Sequence, residues 1–545
     1  MSLKWPDWRA YGRRYLREDL LAALVVSVLL IPQSIAYAML AGLPPQVGLY
    51  ASLLPLVFYA ALGSSPHLGL GPVAVLALMI AQTLSQAPPG VSPTEAALVL
   101  AAEVGLILAL AAALRLDALA ALLSVPVLHG FETGATLSIA ASQLPVLLGS
   151  PAKGFELPAL LESAWASGFA WQGGAALYGL VALAVLLAAR RWLKGLPARL
   201  APLLILLGAI ALARGSDALA RGVPLVGTLP PLHLGLALPR LDASLWLALL
   251  PGALLVALVG FVSSLVVAES LGRRAGVRID ARAELRGLAG ANLAAALSGG
   301  MPVAASFSRS VLMFDAGSRT RMTGAFIAVA MGAAMLLLAG PLASLPKAVL
   351  AATIMVAVLS GLKLAPYRDA WRYARPEALL MLAVSLLVLC WSVSAALGLG
   401  VLGSIALLLQ RTARPHVALI GRVPGTEHYR NVDRHAVECR PGVLGLRIDE
   451  SLLFTNARSL TDVVQAYLMP RPDTRRVVLQ MSPVNAIDFS GLEALRELHD
   501  TLARQQIRLD LSEVKGPVLD RLRAGAWQGW FRGQVFLSHH QGMVD

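Results

Sequence analysis

The stretch SGGMPVAASFSRS, Ser298 to Ser310, interrupts a long apolar part of the chain with two glycines, a proline and an arginine. Glycine and proline break helices, and an arginine at bilayer depth is unfavourable unless it has a partner or a function. Irregular backbone occurs inside a membrane only where it is buried in protein or lines a cavity. We therefore take this stretch as the first candidate for a functional site.

The composition places the stretch in a membrane protein. The chain has 545 residues, of which 57% are apolar and 14% are charged, whereas a soluble protein carries about 25% charged residues. Its mean hydropathy is +0.69. Apolar segments of roughly 17 to 25 residues recur between Leu20 and Leu409, each long enough to cross a bilayer. We expect a polytopic α-helical membrane protein.

The net charge of +13 lies mostly in the apolar part of the chain. Residues 1–410 hold 27 Lys/Arg and 17 Asp/Glu, a balance of +10, and residues 411–545 hold 18 and 15, a balance of +3. Such an excess is typical of loops that set membrane topology. We therefore expect membrane lipid among the partners and no nucleic acid.

Fourteen hydrophobic segments set the predicted topology. The loops after segments six, eight, ten and twelve are basic, as cytoplasmic loops should be, although the loop after segment seven also holds three arginines. Residues 1–19 then form a cytoplasmic N-terminal segment, the C-terminal part is also cytoplasmic, and the protein lies in the inner cell membrane. The segments cover residues 20–40, 47–62, 72–86, 95–114, 118–147, 173–190, 200–213, 243–270, 284–298, 302–314, 322–340, 346–361, 376–393 and 395–410.

Two of the short segments resemble each other and indicate internal symmetry. Segment three opens with GLGPVAV, Gly69 to Val75, and segment ten opens with GGMPVAA, Gly299 to Ala305. Each is third in a set of seven, and because seven is odd, the sets 20–213 and 243–410 should face opposite ways. Paired Gly/Pro-interrupted short segments in two inverted repeats are typical of a transporter site, so we predict half-helices that end near the midplane.

A half-helix start presents unpaired N–H groups and a positive dipole end, which suits an anion. Pro72 and Pro302 are each suited to the first helical turn, where a missing N–H has no consequence. Arg309 follows Pro302 by seven residues, about two turns, and so should lie on a similar face and complete an oxoanion site. The alternative is that Arg309 snorkels to the cytoplasmic side or pairs with Asp315. Ser308 could add a hydroxyl group to the site.

Few other acidic residues lie within the segments. Glu132 is one turn from His129, so this carboxylate is either a candidate proton relay or half of a local structural pair. Glu269 adjoins two arginines at a helix end and is expected to form an interfacial ion pair. Glu103 is the remaining acid at membrane depth.

The composition changes after Gln410. Residues 411–430, rich in proline and glycine, are interpreted as a linker, and residues 431–545 alternate strands and helices as a small α/β domain does. A helix is predicted to start near Asn456 or Ala457. The first 410 residues thus divide into the N-terminal segment and a transport domain over 20–410.

The sequence around the first segment resembles the sulfate permease (SulP) family of anion transporters. IPQSIAYAMLAGLPPQVGLYASLLP, Ile31 to Pro55, is similar to the signature of that family's first helix. GPVAVLALM resembles its third helix and SGGMPVAASFSRSVLMFDAGSRTRMTG its tenth, including the Ser308-Arg309 pair. AIDFSGLEAL lies in a region that resembles a STAS domain. The resemblance spans nearly the whole chain, and the motifs occur in order.

This resemblance implies fourteen transmembrane segments in two inverted seven-helix repeats, divided into core and gate domains, with a cytoplasmic α/β STAS domain and a homodimer. It implies an anion site between half-helices three and ten, lined by the first and eighth helices, and elevator-like alternating access. On the matched motifs, the substrate-binding candidates are Gln33, Tyr37, Val73, Ala74, Ala305, Ser308 and Arg309.

One departure from the family pattern affects coupling. Bacterial members typically have an acidic residue in the eighth helix, in a pattern like GFVES, whereas this chain reads GFVSS with Ser263 at that position. Glu269 is six residues further, about 600° around a helix, and does not present the same face. The neutral Ser263 predicts an exchanger or uncoupled carrier, unless Glu132 substitutes as the proton carrier.

The STAS-like region carries a second hypothesis. The motif DFSG places Ser490 where related anti-sigma-factor antagonists carry a phosphorylated serine, and a phosphate at a helix start is electrostatically favourable. The alternative is that Ser490 only caps a helix.

The predicted function is a secondary transporter or exchanger of small inorganic oxoanions, with sulfate as the default. Bicarbonate, chloride and dicarboxylates also suit a site of dipole ends and one arginine, and an uncoupled anion channel or an anion sensor are rival functions. A nucleobase permease would be expected to place a carboxylate rather than Arg309 at the half-helix. No enzyme constellation, cofactor motif or metal-ligand spacing is visible, so we predict a protein that is not an enzyme.

Overall fold

The computed structural model describes residues 15–116, 124–193, 196–216, 218, 222–228, 236–413 and 416–545, without the side chains of 196–200, 338 and 339. The chain forms two compact units, Met1–Ser404 and Ile405–Asp545. Residues 1–14 of the predicted N-terminal segment and the start of predicted segment 118–147 lie outside the described residues. Each unit is described by itself below.

The first half of the membrane unit contains nine helices in the described residues. Proline occupies one of the first two positions of α2, α3, α5, α6 and α7, where no N–H is needed. The helices are α1 (Leu16–Leu40), α2 (Pro45–Tyr50), α3 (Leu54–Leu62), α4 (Ala74–Leu84), α5 (Pro93–Ala113), α6 (Val125–Leu148), α7 (Leu157–Ala166), α8 (Gly173–Trp192) and α9 (Leu196–Gly215).

The second half contains eight helices in the described part of the chain. The longest of them, α10, starts at the N-cap Asp242, whose carboxylate accepts from the N–H of Ser244, and ends at the left-handed Gly276. The helices are α10 (Ala243–Ala275), α11 (Ala281–Leu297), α12 (Phe307–Asp315), α13 (Met322–Ala343), α14 (Lys347–Leu359), α15 (Ala365–Tyr373), α16 (Arg375–Cys390) and α17 (Val393–Ala413).

Helix length separates spanning helices from half-helices. Within the described residues, six helical stretches are long and apolar enough to cross a bilayer: Leu16–Leu40, Pro45–Leu62, Pro93–Ala113, Gly173–Trp192, Ala243–Ala275 and Val393–Ala413. Helices α4 and α12 have 11 and 9 residues. They are therefore only about 16 and 14 Å long, half of a hydrocarbon core of about 30 Å.

The membrane helices fall into two packing groups. Helices α1, α3, α4, α5, α10, α11, α12 and α13 contact one another, and α6, α8, α9, α14 and α16 form a second group. Both groups combine helices from the two halves of the sequence. Small side chains line many of the contacts in each group: alanines are buried there, and glycines such as Gly130 and Gly287 lie against the neighbouring helices. This is typical of helix packing inside a membrane.

Two buried carboxylates tie the halves of the first group together. Glu284 on α11 accepts from the hydroxyl of Tyr59 at 2.8 Å and from the Ser64 hydroxyl at 2.6 Å. The carboxylate of Asp19 accepts from the N–H of Arg319 at 2.7 Å and from the Thr323 hydroxyl at 2.9 Å. These bonds attach α1 to the start of α13. Asp19 is fully buried inside α1, which begins at Leu16, four residues before the predicted first segment at 20–40.

The C-terminal unit is an α/β domain around a six-stranded sheet. The strand order is β4-β3-β5-β6-β7-β8, in which β5 to β8 are parallel and β3 is antiparallel to both of its neighbours. The strands are β3 (Val417–Arg422), β4 (Tyr429–Asn431), β5 (Val443–Ile448), β6 (Arg476–Gln480), β7 (Arg508–Ser512) and β8 (Val535–Phe536); the helices are α18 (Leu460–Leu468), α19 (Phe489–Arg504), α20 (Gly516–Ala524) and α21 (His539–Val544).

Two predictions about this unit can be compared with the structure. A 3-10 turn over Ala457–Ser459 leads directly into α18, which confirms the helix start predicted near Asn456 or Ala457. The linker predicted over 411–430 is wrong for much of its length. Helix α17 continues to Ala413, and β3 is an internal strand of the sheet. The run HVALIGR has the β-branched and apolar residues that are typical of a buried strand, but the nearby prolines and glycines indicated a linker instead. Residues 414 and 415 lie outside the described residues.

Candidate functional site between the half-helices

Two short strands hold the starts of the half-helices together. Strand β1 (Leu70–Gly71) precedes α4 and pairs antiparallel with β2 (Ala304–Ala305), which precedes α12. The N–H of Ser306 extends the pairing by donating to the carbonyl oxygen of Gly69 at 3.1 Å. The antiparallel pairing is the arrangement expected when two similar segments enter a site from opposite directions.

The two prolines do not open the half-helices, which corrects the prediction. Helix α4 begins at Ala74 with Val73 as its N-cap, so Pro72 lies one position before the cap. Helix α12 begins at Phe307 with Ser306 as its N-cap, five residues after Pro302. Between Pro302 and α12, Ala304 and Ala305 are extended because they form β2 and pair with β1, a long-range contact that helix-start rules do not consider.

Arg309 consequently lies in the first turn of α12 rather than two turns into it. Its side chain is 3% exposed. Nε donates to the carbonyl oxygen of Gly69 and Nη2 to that of Pro72, both at 3.1 Å. The guanidinium therefore neither snorkels to the surface nor takes Asp315 as its hydrogen-bond acceptor. It binds the backbone that leads into the opposite half-helix.

One nitrogen of this buried guanidinium has no partner. Among the described residues, Nη1 of Arg309 makes no hydrogen bond although it is inaccessible to solvent. A buried unpaired donor on a charged group is unfavourable by about 1–3 kcal/mol or more, so it indicates a position that a ligand can complete. The hydroxyl of Tyr37 on α1 lies within electrostatic range of this guanidinium.

Two glycines make the approach of Arg309 possible. A Cβ on Gly69 would lie 2.7 Å from Cγ of Arg309, well inside van der Waals contact. Gly71 has φ of +146°, a conformation that favours glycine. A Cβ at this position would lie 3.4 Å from both Nη1 and Nη2 of Arg309. The N–H of Gly69 also donates to the Ser310 hydroxyl at 2.9 Å. The glycines Gly69 and Gly71 of the third segment are thus required because Arg309 and Ser310 of the tenth segment pack closely against them.

Ser264 is a positioning residue that sequence reasoning missed. Its fully buried hydroxyl accepts from the N–H of Ala305 at 2.9 Å, so the N–H of this predicted substrate-binding residue is already satisfied. Asn292 on α11 holds the same segment, because Oδ1 accepts from the N–H of Val303 at 2.9 Å and Nδ2 donates to its carbonyl oxygen at 3.1 Å. The only feature of the sequence that could have indicated Ser264 was its position next to Ser263.

Ser263 does not point its hydroxyl at the half-helices. The Oγ atom donates to the carbonyl oxygens of Val259 at 2.7 Å and Gly260 at 3.3 Å, both in its own helix α10. This backward bond is the usual arrangement for serine in a membrane helix. The position that carries an acid in the resembling family therefore holds a neutral group that is bonded within its own helix.

Of the other predicted substrate contacts, Ser308 is exposed at the second position of α12, with its hydroxyl 3.2 Å from that of Ser306. Val73 is buried and Ala74 partly buried at the start of α4. Helices α1 and α10 both contact the half-helices. The structure thus brings Val73, Ala74, Ala305 and Arg309 into one region, with Ser308 at its exposed side.

Gln33 and Tyr37 line a cavity of about 390 Å³ between the two packing groups. Its walls come from α1 on one side and from α8, α9 and α14 on the other, including Arg190, Thr353 and Ser360. In the described structure, the starts of α4 and α12 are not part of this wall. Tyr37 connects the two features, since it lines the cavity and lies near Arg309.

The acidic residues differ in environment. Nδ1 of His129 is 3.6 Å from Oε2 of Glu132, and the Glu132 side chain is 51% exposed. Glu269 is 3.6 Å from Nη1 of Arg273, which confirms the predicted ion pair. Glu103 is buried in α5, and neither of its carboxylate oxygens has a hydrogen-bond partner among the described residues.

In the C-terminal unit, Ser490 is exposed at the second position of α19, and it is not the helix cap. Asp488 is the cap, with Oδ1 accepting from the N–H of Gly491 at 2.8 Å and Oδ2 from that of Phe454 at 2.7 Å. The alternative that Ser490 serves as a cap is therefore wrong, and its hydroxyl is accessible.

Comparisons with known proteins agree with this architecture. The chain is 35% identical over 544 residues to a probable sulfate transporter of Mycobacterium tuberculosis (strain CDC 1551 / Oshkosh), covering 95% of this chain and 93% of the relative. It is 31% identical over 526 residues to the chloroplastic sulfate transporter 4.1 of Arabidopsis thaliana, covering 91% and 75%.

Solved structures share the fold at low sequence identity. The structure of SLC26A9 matches with a TM-score of 0.87 at 21% identity, covering 99% of this chain and 92% of that chain. The transmembrane domain of the cyanobacterial bicarbonate transporter BicA matches with a TM-score of 0.60 at 19% identity, covering 72% and 98%. Residues 16–384 match the sulfate permease family and residues 434–542 match the STAS domain, so the chain belongs to the sulfate permease family, whose members are membrane transporters rather than enzymes.

Proposed function

We propose that this protein is a secondary active transporter or exchanger of small inorganic oxoanions, with sulfate as the default substrate. The observation that carries the proposal is Arg309, a buried guanidinium between two half-helix starts with one nitrogen unpaired. A cation in this position has no role in solubility, and intramembrane charge usually marks a substrate pathway. An oxoanion that accepts from Nη1 would complete the hydrogen bonds of the side chain.

The half-helices supply the rest of the site in this proposal. The first N–H groups of a helix have no acceptor within it, and they carry the positive end of the helix dipole. In α12 these groups belong to Phe307, Ser308 and Arg309, and α4 offers its own from Ala74 onward. The substrate would then lie between two sets of backbone donors and Arg309, with Gln33 and Tyr37 at the cavity side.

We propose elevator-like alternating access as the mechanism of movement. The fourteen predicted segments would form two inverted repeats, with the first packing group as the core and the second as the gate. The cavity of about 390 Å³ lies between these groups, and its wall holds Gln33 and Tyr37. This placement supports a pathway that opens where the groups meet. Arg190 on the gate side would attract anions toward it.

The coupling proposal depends on Ser263. A serine has no carboxylate that could carry a coupled proton or cation, and the hydroxyl of Ser263 is bonded within α10. We propose exchange or uncoupled transport, with an anion channel as the second candidate function favoured by the same observation. Glu132, 3.6 Å from Nδ1 of His129, would be the substitute proton carrier if coupling is found.

The remaining proposals concern the surroundings of the protein. We propose an inner-membrane location with both termini cytoplasmic, and a homodimer. The STAS domain would lie in the cytoplasm, where the exposed Ser490 could accept a phosphate.

The test is uptake of labelled sulfate into proteoliposomes, with and without an inward proton gradient. Arg309→Ala should abolish uptake, whereas the matched control Arg273→Ala, an exposed arginine of α10, should keep it. Uptake that requires Arg309 and ignores the gradient would support both the site and the loss of coupling. Gradient-driven uptake would contradict the uncoupled mechanism and direct attention to Glu132.

Substrate arms separate the alternatives. Sulfate uptake should be inhibited by excess unlabelled sulfate more strongly than by bicarbonate or a dicarboxylate. If the protein transported bicarbonate or a dicarboxylate but not sulfate, the proposed substrate would be wrong, whereas the proposed anion site would stand. Single-channel currents in planar bilayers would show that the protein is an anion channel rather than a carrier.

A further inference from the structure

Gln82 lies near the end of half-helix α4 and bonds to two helices outside the first packing group. Its Nε2 donates to Oε1 of Glu156 at 2.6 Å, and its Oε1 accepts from the N–H of Val393 at 3.3 Å. Glu156 is the N-cap of α7, and Val393 is the first residue of α17. Both polar ends of one side chain are thus bonded to two different helix starts. We call these three residues the glutamine cluster.

The two partner helices are held by the second packing group. Helix α7 contacts α6 and α16. Helix α17 packs against the same two helices, because a Cβ on Gly400 would lie 2.8 Å from Cγ1 of Val127 on α6 and 3.0 Å from Cγ2 of Val384 on α16. Gln82 therefore connects the first group, which contains α4, to helices that are packed on the second group.

The glutamine cluster and the cavity of about 390 Å³ lie toward opposite sides of the membrane in the predicted topology. Loops after odd-numbered segments face outward in that topology, and the cluster lies at the ends of segments three and thirteen and in the loop after segment five. The cavity is lined by Arg190 and Ser360, near the cytoplasmic ends of segments six and twelve. The two packing groups are thus separated by a cavity on the cytoplasmic side and joined by hydrogen bonds on the outer side.

Helix α4 connects the glutamine cluster to the candidate anion site. Its N-cap is Val73 and its first residue is Ala74, at the site, and Gln82 follows eight residues later, about 12 Å along the helix. The helix contains neither glycine nor proline, so its two ends move together. A displacement of the anion site by a few ångströms would therefore move Gln82 out of hydrogen-bond distance of both partners.

We infer that Gln82 is a positioning residue that closes the outer side of the transport pathway while the cavity faces the cytoplasm. Its bonds to Glu156 and Val393 must break before the anion site reaches the outer side. The inference rests on the proposed alternating access. A bond to a carboxylate is stronger than one between neutral groups, and its loss corresponds to about tenfold or more in an equilibrium constant. One such bond favours the closed state without preventing turnover.

The test measures how fast the anion site is reached from outside. Ser308→Cys, at the exposed side of the site, is the reporter in full-length protein with Cys390→Ser/Cys439→Ser, and spheroplasts are labelled with a membrane-impermeant maleimide. Gln82→Ala should raise the labelling rate by about tenfold, as the loss of one charged hydrogen bond predicts. The matched control Gln86→Ala replaces an exposed glutamine four residues further and should stay within about twofold of the parent.

An exchange of the two side chains separates the role of the bond from misfolding. Gln82→Glu places two carboxylates together and should raise the labelling rate further than Gln82→Ala. Gln82→Glu/Glu156→Gln restores one donor and one acceptor with their roles exchanged, and should return the rate to within about threefold of the parent. A misfolded protein is not repaired by a second substitution. Equal labelling of the parent, Gln82→Ala and Gln86→Ala would overturn the inference, as would a double variant that labels like Gln82→Glu.

Sulfate uptake into proteoliposomes by the same variants with Ser308 intact separates this inference from the proposed function. If the labelling rates follow the expected order but the parent takes up no sulfate, the role of Gln82 stands and the proposed substrate is wrong. If the parent takes up sulfate but labelling is equal in all variants, the transport function stands and the role of Gln82 is wrong.

Discussion

The guanidinium of Arg309 donates from Nε to the carbonyl oxygen of Gly69 at 3.1 Å. This bond joins the first turn of one half-helix to the strand that leads into the other. The same carbonyl oxygen accepts from the N–H of Ser306, and the N–H of Gly69 donates to the Ser310 hydroxyl. The two half-helices are therefore connected at the candidate anion site itself, and substitutions on either side should affect both.

Arg309→Lys should show how much of the role of Arg309 depends on charge alone. Lysine keeps the charge but cannot donate to Gly69, Pro72 and a ligand from one planar group. We expect sulfate uptake to fall by about 10- to 100-fold, as the loss of one or two charged hydrogen bonds predicts. Initial uptake rates over a range of sulfate concentrations measure it. Unchanged transport by Arg309→Lys would show that the fork geometry is unimportant.

Gly69→Ala should disrupt the contact between the two half-helices. The added Cβ would lie 2.7 Å from Cγ of Arg309, and overpacking of this kind destabilises by about 1–3 kcal/mol. We expect a lower thermal midpoint in detergent and reduced uptake. Gly208→Ala is the control, because a Cβ there meets nothing within 4 Å. Equal midpoints for the two variants would contradict the close approach at Gly69.

Ser264→Ala and Ser263→Ala form a matched pair on adjacent positions of α10. Ser264→Ala leaves the buried N–H of Ala305 without an acceptor, which should destabilise by about 1–3 kcal/mol and impair uptake. Ser263→Ala removes only a bond within the helix and should have little effect. Thermal midpoints and uptake rates measured together distinguish them. The reverse order of effects would mean that Ser263 is the residue that holds the half-helix.

Ser263→Glu tests the coupling hypothesis directly. If the neutral side chain is the reason for uncoupled transport, a carboxylate at this position should make sulfate uptake depend on an inward proton gradient. Proteoliposome uptake with and without the gradient measures it, and Ser263→Gln controls for the added volume. A Ser263→Glu variant with the proton dependence of the wild type would count against this position as the coupling site.

The C-terminal helix α21 should loosen as pH falls. Burial lowers the pKa of His539 to about 4, although Glu513 acts in the opposite direction, and Nδ1 lies 2.8 Å from the Ser512 hydroxyl. The unfolded segment binds the proton near the ordinary pKa of about 6.5, so the docked state is fully favoured above pH 6.5 and weakens progressively between 6.5 and 4. At pH 5.5 the expected loss is about 1.4 kcal/mol, or about tenfold in the opening equilibrium.

Hydrogen exchange of residues 539–545, corrected for the intrinsic pH dependence, measures this change. His539→Gln should remove the pH dependence, whereas His540→Gln should keep it, because His540 is less buried. The docking of α21 would not depend on His539 protonation if the wild type and His539→Gln opened equally at both pH values.

The sequence alone predicted the membrane class and the pair of interrupted segments. These features depend on local composition, since apolar runs of sufficient length must cross a bilayer and Gly/Pro breaks are rare there. It also indicated Arg309 as the candidate site residue, because a charge at that depth needs a function. Periodicity and turn residues were enough to predict α18 and the α/β character of the C-terminal unit.

The tertiary structure decided how those residues are arranged. Only the pairing of β1 with β2 shows that α12 begins at Phe307, so Arg309 lies in its first turn and reaches the carbonyl oxygens of Gly69 and Pro72. Ser264 could be separated from Ser263 only by the direction each takes on α10. These contacts join residues more than 200 positions apart or neighbours that differ only in orientation, and local sequence patterns contain neither kind of information.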